Sequence, residues 1–192
     1  MGKKKRIVLF ASGSGSNVEN IAHYFADNES VEIVGVFGNN RTAFVFERCA
    51  KLGLPAYSFN RKAFTDVGGV LNFLQALDPD LIVLAGFLWK IPESFVQTFP
   101  NRIINVHPAL LPKYGGKGMY GMHVHEAVKA AGETETGITI HFVNEQYDEG
   151  AIIFQAKVNV DSQDTAENIA QKIHKLEYAH FPEVVEKVLA DG

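Results

Sequence analysis

Asn105 and His107 stand two apart at the end of Arg102-Ile103-Ile104-Asn105-Val106-His107-Pro108, a run that is otherwise apolar and stops at a proline. On an extended chain, residues two apart point to the same side. The amide and the imidazole therefore share a face with Ile103, while Ile104 and Val106 face the other way. Burying two such polar groups is costly unless they are partnered, and acyl transfer would supply a use for both. The imidazole carries a proton near neutral pH, and the amide N–H can donate to a developing oxyanion. A third group is expected to tune the imidazole. The segment Asn144-Glu145-Gln146-Tyr147-Asp148-Glu149-Gly150 supplies three carboxylates, and one of them close to His107 is expected to favour the charged ring and raise its pKa. No nucleophile is indicated, because Cys49 falls within a helical stretch and no serine has a histidine and an acid in register. Direct transfer is expected, without a covalent enzyme intermediate. Each residue also has a plainer reading: His107 as a core histidine bonded to backbone, Asn105 as a turn former ahead of Pro108. Their joint occurrence on one face favours function.

A second cluster is Gly13-Ser14-Gly15-Ser16-Asn17, between the apolar run Ile7–Ala11 and a helical pattern. Free backbone N–H groups and the positive end of a helix dipole meet at such a place, which suits a phosphate. The alternative is a tight turn that merely needs glycine. A dinucleotide fits less well. Val18 follows Asn17 where a third glycine would stand, and Asn39-Asn40-Arg41 offers no acid for an adenosine ribose. The remaining histidines are weaker candidates. His123 and His125 are two apart and do not share a helical face for a metal, and His141 is expected in the core or at the surface.

These residues need a scaffold, and the chain describes one. Strands are expected at Ile7–Ala11, Val31–Phe37, Pro55–Phe59, Asp80–Ala85 and Ile103–His107. Helices are expected at Asn17–Asn28, with Ser16 as N-cap and Glu19 completing a capping box, and at Thr42–Leu52, closed by Gly53. Two more are expected at Lys62–Leu77, loosened by Gly68-Gly69, and at Pro92–Phe99. This alternation predicts an α/β fold, a mostly parallel Rossmann-like sheet flanked by helices. Ligands bind such sheets at the carboxyl ends of the strands, where both clusters fall. The loop Pro108–Gly121, a helix His123–Ala131 and a C-terminal antiparallel hairpin (Gly137–Val143, Ala151–Val158) follow. A long final helix starts near Thr165, with Asp164 as N-cap, and Pro182 is expected to bend or break it. The loop leaves directly from the catalytic strand and is expected to gate the site.

Composition bounds the rest. At 192 residues the chain predicts a single domain over 1–192. A net charge of −4 gives no electrostatic case for nucleic acid or an anionic membrane. No apolar run approaches the ~20 residues of a bilayer span, and Cys49 is the sole cysteine, which suits a reducing compartment. A cytoplasmic protein without metal is expected.

Four segments in order, SGSGSN, VLAGFLWKI, INVHPALLPKYGGKG and HFVNEQYDEGAIIFQAKV, resemble the phosphoribosylglycinamide formyltransferase family of folate-dependent enzymes. The resemblance implies 10-formyltetrahydrofolate as cosubstrate and glycinamide ribonucleotide as acceptor. It divides the domain into a phosphate-binding half, 1–100, and a catalytic and folate-binding half, 101–192. It implies Asn105, His107 and Asp148 as catalytic groups. Gly15, Ser16 and Asn17 would hold the ribonucleotide's phosphate, and Glu177 would meet the substrate's amine end, with His174, Lys175 and Leu176 as neighbouring ribonucleotide contacts. Leu88, Trp89, Lys90 and Ile91, together with Asn105, Asn144, Glu145, Gln146, Tyr147 and Asp148, would contact the folate. Trp89-Lys90 stands where many members carry methionine and arginine, and the glycine-rich loop through Met122 is longer than in some. The family's basic residue from the region of Arg61 to Val67 has no assigned counterpart.

Rival readings are a formyltransferase for another amine, whose members usually carry an extra C-terminal domain, a formyl-folate hydrolase, which usually carries an N-terminal one, and a non-catalytic nucleotide-binding module. The last would have no need of Asn105, His107 and Asp148 together. The oligomeric state is left open.

Overall fold

The computed structural model describes residues 3–66, 68–146 and 148–192. The chain opens with β1 (Lys5–Ala11), α1 (Ser16–Tyr24), β2 (Val31–Gly38), α2 (Val45–Leu52) and β3 (Ala56–Ser58). The short helices α3 (Arg61–Thr65) and α4 (Val70–Leu77) follow, then β4 (Leu81–Leu84), α5 (Glu93–Thr98) and β5 (Ile103–His107). Beyond a long loop come α6 (Met122–Ala130), β6 (Glu135–Phe142), β7 (Ile152–Asn159) and α7 (Ala166–Asp191). The sheet order is β3-β2-β1-β4-β5-β6-β7. The first five strands are parallel, and β6 and β7 are each antiparallel to the strand before them.

The apolar runs become strands buried on both faces. Ile7, Leu9 and Ala11 of β1 join a core with Val18 and Ile21 of α1, Val45 of α2, and Ile169 and Ile173 of α7. Val8 and Phe10 point the other way, to Phe64, Leu71, Leu74 and Phe95 of α3, α4 and α5. That second core is largely aromatic: the Phe10 ring lies 5.2 Å from both Phe37 and Phe87, and Phe64 lies 5.1 Å from Phe95. Strand β5 divides as its alternation requires, with Ile103 in the aromatic core and Ile104 and Val106 in the other.

Strands β2 and β4 flank β1 on opposite sides, so the strand order reverses there and a crevice opens beyond the carboxyl ends of β1 and β4.

Four local expectations give way to tertiary packing. Gly15, not Ser16, precedes α1 as its cap, at φ 72° with no side-chain capping bond. A Cβ there would lie 2.4 Å from Val45 Cγ2, so α2 demands glycine at that point. Glu19 is accordingly not a capping partner and pairs with Arg48. The segment expected as one helix is two, α3 and α4, with Gly69 as the N-cap of the second. At α7 the cap is Thr165, which accepts from the Asn168 N–H while Asn168 caps in return. Asp164 instead takes the Lys172 ammonium and the Asp161 N–H. Finally, Pro182 does not break α7, which runs through it for 26 residues. Burial of Phe181, Pro182, Val184 and Val185 offsets the one backbone donor that proline removes.

Candidate active site

The crevice is a cavity of about 660 Å³, within the range of small-molecule sites. The glycine loop after β1, residues 84–91 after β4, and Asn105 to Pro108 at the end of β5 form its wall. Residues 116–122 ahead of α6 and the β6–β7 connection line it as well.

At its centre His107 is 3% exposed. Its Nε2 lies 2.7 Å from the Tyr114 carbonyl. A carbonyl only accepts, so Nε2 carries the proton. Nδ1 then faces Asp148, whose Oδ2 is 3.6 Å away. That is an ion-pair distance too long for a hydrogen bond, so Nδ1 is not hydrogen-bonded to the carboxylate it faces. Asp148 Oδ2 also accepts from the Gly116 N–H at 2.9 Å. Gly115 makes this approach possible, since a Cβ there would stand 2.6 Å from Leu111 Cδ2 and 3.4 Å from Asp148 Cβ.

His141 was not expected here. It pairs with Asn105 across β5 and β6, is 2% exposed, and lines the same cavity. Its Nδ1 lies 2.9 Å from the Phe142 carbonyl and must donate. Its Nε2 is thereby left to accept from Asn105 Nδ2 at 3.2 Å, with Asp148 Oδ1 3.7 Å away. One amide hydrogen of Asn105 is used in this way, which fixes the side chain and leaves a second N–H on a residue that lines the cavity.

The electrostatics depart from the expected raised, charged imidazole. Burial pushes the His107 pKa below the usual histidine value. Asp148 and the Tyr114 carbonyl pull it back, His141 opposes them, and the net direction is down. Desolvation of a nearly sealed imidazolium outweighs a carboxylate held at 3.6 Å. Burial would raise Asp148, but contact with His141, the field of His107 and the Gly116 N–H hold it below the ordinary carboxylate range.

Where α7 meets the glycine loop, the cavity is lined by Glu177, which is 5% exposed. Its Oε2 accepts from Asn17 Nδ2 at 3.0 Å and lies 3.0 Å from His174 Nδ1. That bond raises the His174 pKa against the effect of burial. Asn17 Oδ1 is buried without a partner among the described residues, as is Nδ1 of His125. His125 also lines the cavity, and burial pushes its pKa down. His123, by contrast, is exposed beside Glu126. The two imidazoles diverge as their spacing requires, and His125, which the sequence suggests only as half of a metal pair, lines the cavity instead.

Gly15, Ser16, Asn17, His174 and Glu177 line the cavity, as do Leu88, Trp89, Lys90, Ile91, Asn144, Gln146 and Asp148. Lys175, Leu176 and Glu145 do not. A helix turns about 100° per residue, so His174 and Glu177, three apart, share a face. Lys175 projects to solvent, and Leu176 packs on the core beneath the sheet. Glu145 is exposed at the tip of the connection. Tyr147 lies outside the described residues, as does Val67. Arg61 is placed: its guanidinium stacks 4.0 Å over the Trp89 indole, on the folate-side segment that resemblance picks out. Cys49 is buried away from the cavity with its thiol pKa pushed up by burial. Among the described residues no group of three or more histidine, cysteine or acidic side chains could hold a metal, and no helix is long and apolar enough to cross a membrane.

The fold is a doubly wound α/β sheet whose switch-point crevice gathers an amide, an imidazole and a carboxylate. Residues 5–185 match the family model described as formyl transferase. The chain is 38% identical over 189 residues to the chloroplastic phosphoribosylglycinamide formyltransferase of Arabidopsis thaliana, covering 95% of this chain and 65%, a little under two thirds, of that protein. It is 35% identical over 186 residues to the phosphoribosylglycinamide formyltransferase of Haemophilus influenzae, covering 94% of this chain and 85% of that protein. The crystal structure of phosphoribosylglycinamide formyltransferase from Anaplasma phagocytophilum superposes with a TM-score of 0.89 at 36% identity, covering 98% of this chain and 89% of that one. The chain belongs to the formyl transferase family.

Proposed function

We propose that this protein transfers the formyl group of 10-formyltetrahydrofolate to the amine of N1-(5-phosphoribosyl)glycinamide, a step of de novo purine synthesis. One observation carries the reading. A single cavity places Asn105, His107 and Asp148 between a glycine loop at a helix N-terminus and the largely apolar segment from Leu88 to Ile91. A phosphorylated acceptor fits the first end and a flat heteroaromatic donor the second. Within one domain, residues 1–100 carry the phosphate loop and the folate segment from Leu88 to Ile91, and 101–192 the catalytic groups, the remaining folate contacts and Glu177. Leu88, whose N–H donates to Ser12 Oγ at 2.9 Å, Trp89, Lys90, Ile91, Asn144 and Gln146 line the folate end.

The chemistry follows from the resting protonation state. His107 enters neutral, with its lone pair on Nδ1, the nitrogen on the Asp148 side. As the acceptor amine bonds to the formyl carbon, Asn105 donates its free N–H to the oxyanion. His107 takes the amine proton at Nδ1, and Asp148 stabilises the imidazolium only then. His107 passes that proton to the folate nitrogen as its bond to the formyl carbon breaks. One C–N bond forms, one breaks, and one proton moves from acceptor to donor without a covalent enzyme intermediate.

The test mixes the protein with 10-formyltetrahydrofolate and glycinamide ribonucleotide and follows tetrahydrofolate formation. Stoichiometric formyl transfer is expected. Turnover with another amine but none with this one would overturn the acceptor assignment, and loss of formate to water would make the protein a hydrolase.

A further inference from the structure

Tyr114 is joined to His107 by its backbone and to Glu133, just beyond α6, by its side chain. Its carbonyl lies 2.7 Å from His107 Nε2. Its hydroxyl donates to Glu133 Oε1 at 2.9 Å, and the same oxygen takes the Lys113 ammonium at 2.9 Å. Between these contacts the Tyr114 backbone sits at φ 55°, in the left-handed region that a bulky residue rarely adopts and that persists only where the surroundings impose it. The hydroxyl anchor and the packing of the ring against the core are what impose it. Both anchored side chains and Glu133 line a second, smaller depression, which also includes the ion-paired Glu135 and Lys157. It lies apart from the substrate cavity, and none of these groups belongs to the catalytic set.

We propose that Tyr114 is a positioning residue: clamped at Glu133, it holds a carbonyl that keeps the His107 proton on Nε2 and the lone pair on Nδ1. Without it the ring could place its proton on either nitrogen. With the proton on Nδ1, neutral His107 cannot accept one there from an attacking amine, and its lone pair is turned to the Tyr114 carbonyl instead. The other groups facing the ring do not select Nε2. Asp148 faces Nδ1 and favours a proton there, while His141 on β6 and His125 on α6 act on its charge rather than its tautomer. The role assigned here rests on the proposed proton transfer, but the tautomer itself does not depend on any substrate.

The test is a long-range ¹H–¹⁵N spectrum of the His107 ring in the full chain, compared with Tyr114→Phe and with Glu133→Ala, a partly exposed change that leaves the core intact. The wild type should show an Nε2-protonated ring above the His107 pKa, and both variants a mixture of tautomers. Lys157→Ala, which breaks the neighbouring ion pair in the same depression, should leave the wild-type pattern. In steady state both variants should lose about tenfold in kcat with KM for either substrate within about twofold. Loss of the carbonyl contact, which favours the charged ring, should also move the acidic limb of the pH profile to lower pH. An unchanged tautomer in both variants overturns the positioning role, whatever their activity. A changed tautomer without loss of kcat overturns its use in catalysis, and wild-type formyl transfer that fails altogether refutes the proposed function while leaving the tautomer result standing.

Discussion

Replacing Asp148 by asparagine removes one charge and little else. The amide oxygen can still accept from the Gly116 N–H that binds Asp148 at 2.9 Å, and the side chain keeps its size. What is lost is attraction to an imidazolium whose Nδ1 stands 3.6 Å from the carboxylate. Two unit charges at that distance attract by about 1 kcal/mol at the dielectric of water and about 5 kcal/mol at an effective value near 20. The side chains are 4% and 14% exposed, so the working value lies between these limits. At about 1.4 kcal/mol per factor of ten, kcat for formyl transfer should fall between roughly 5- and 4,000-fold. Because Asp148 is one of the groups that hold the His107 pKa up, that pKa should fall further below the usual histidine value. Two measurements check this: initial rates of tetrahydrofolate formation from pH 5 to 9, and an NMR titration of the His107 ring without substrate. A variant with kcat within twofold of wild type, or an unmoved His107 titration, would refute the reasoning.

Three further outcomes follow from the structure. Gly15→Ala forces a Cβ to within 2.4 Å of Val45 at a left-handed φ of 72°, so it should lower stability and raise KM for the ribonucleotide more than for the folate. Thermal unfolding and separate KM determinations read both effects. Phe64→Ala, at a fully buried position, should destabilise by about 3–5 kcal/mol in urea unfolding, and a loss below ~1 kcal/mol would contradict the packing described. Between about pH 5 and 7 stability should rise with pH. His107 and His125 have depressed values when folded, so the unfolded chain binds more protons there, and their contribution, complete above the unfolded value of about 6.5, is lost as pH falls below it. His174 has the opposite sign but is half exposed and weaker. Unfolding midpoints that fall from pH 5 to pH 7 would reverse this assignment.

What the sequence disclosed, and what it hid, divides by distance along the chain. The two faces of β5 were legible because alternation is a local property, and the hairpin that delivers Asp148 was legible from its two strands and short connection. The place of His141 was not, because it depends on the register of β6 against β5, which no local pattern states. A signal did exist: its strand leads directly into the carboxylate-bearing connection. The cap of α1 was misread because Val45, nearly thirty residues on, decides that only glycine fits. At α7, Asp164 and Thr165 are both good caps, and the pull of Lys172 on Asp164 resolves the choice. Lys175 and Leu176 came with the family segment as neighbours of Glu177, yet neighbours on a helix point apart. The His107 pKa was misjudged because the sequence names a partner carboxylate but not the burial that outweighs it.

The central claim is that Asn105 and His107 act on the reacting formyl group rather than on binding. It is tested most directly by single-turnover formyl transfer with Asn105→Ala and His107→Ala, alongside calorimetric titration of the same variants with glycinamide ribonucleotide. The account predicts a rate at least about a hundredfold lower in each variant, with ribonucleotide affinity within a few fold of wild type. Near-normal turnover in either variant would remove that residue from the mechanism, and a loss carried entirely by weakened binding would contradict the assignment of both to the chemical step.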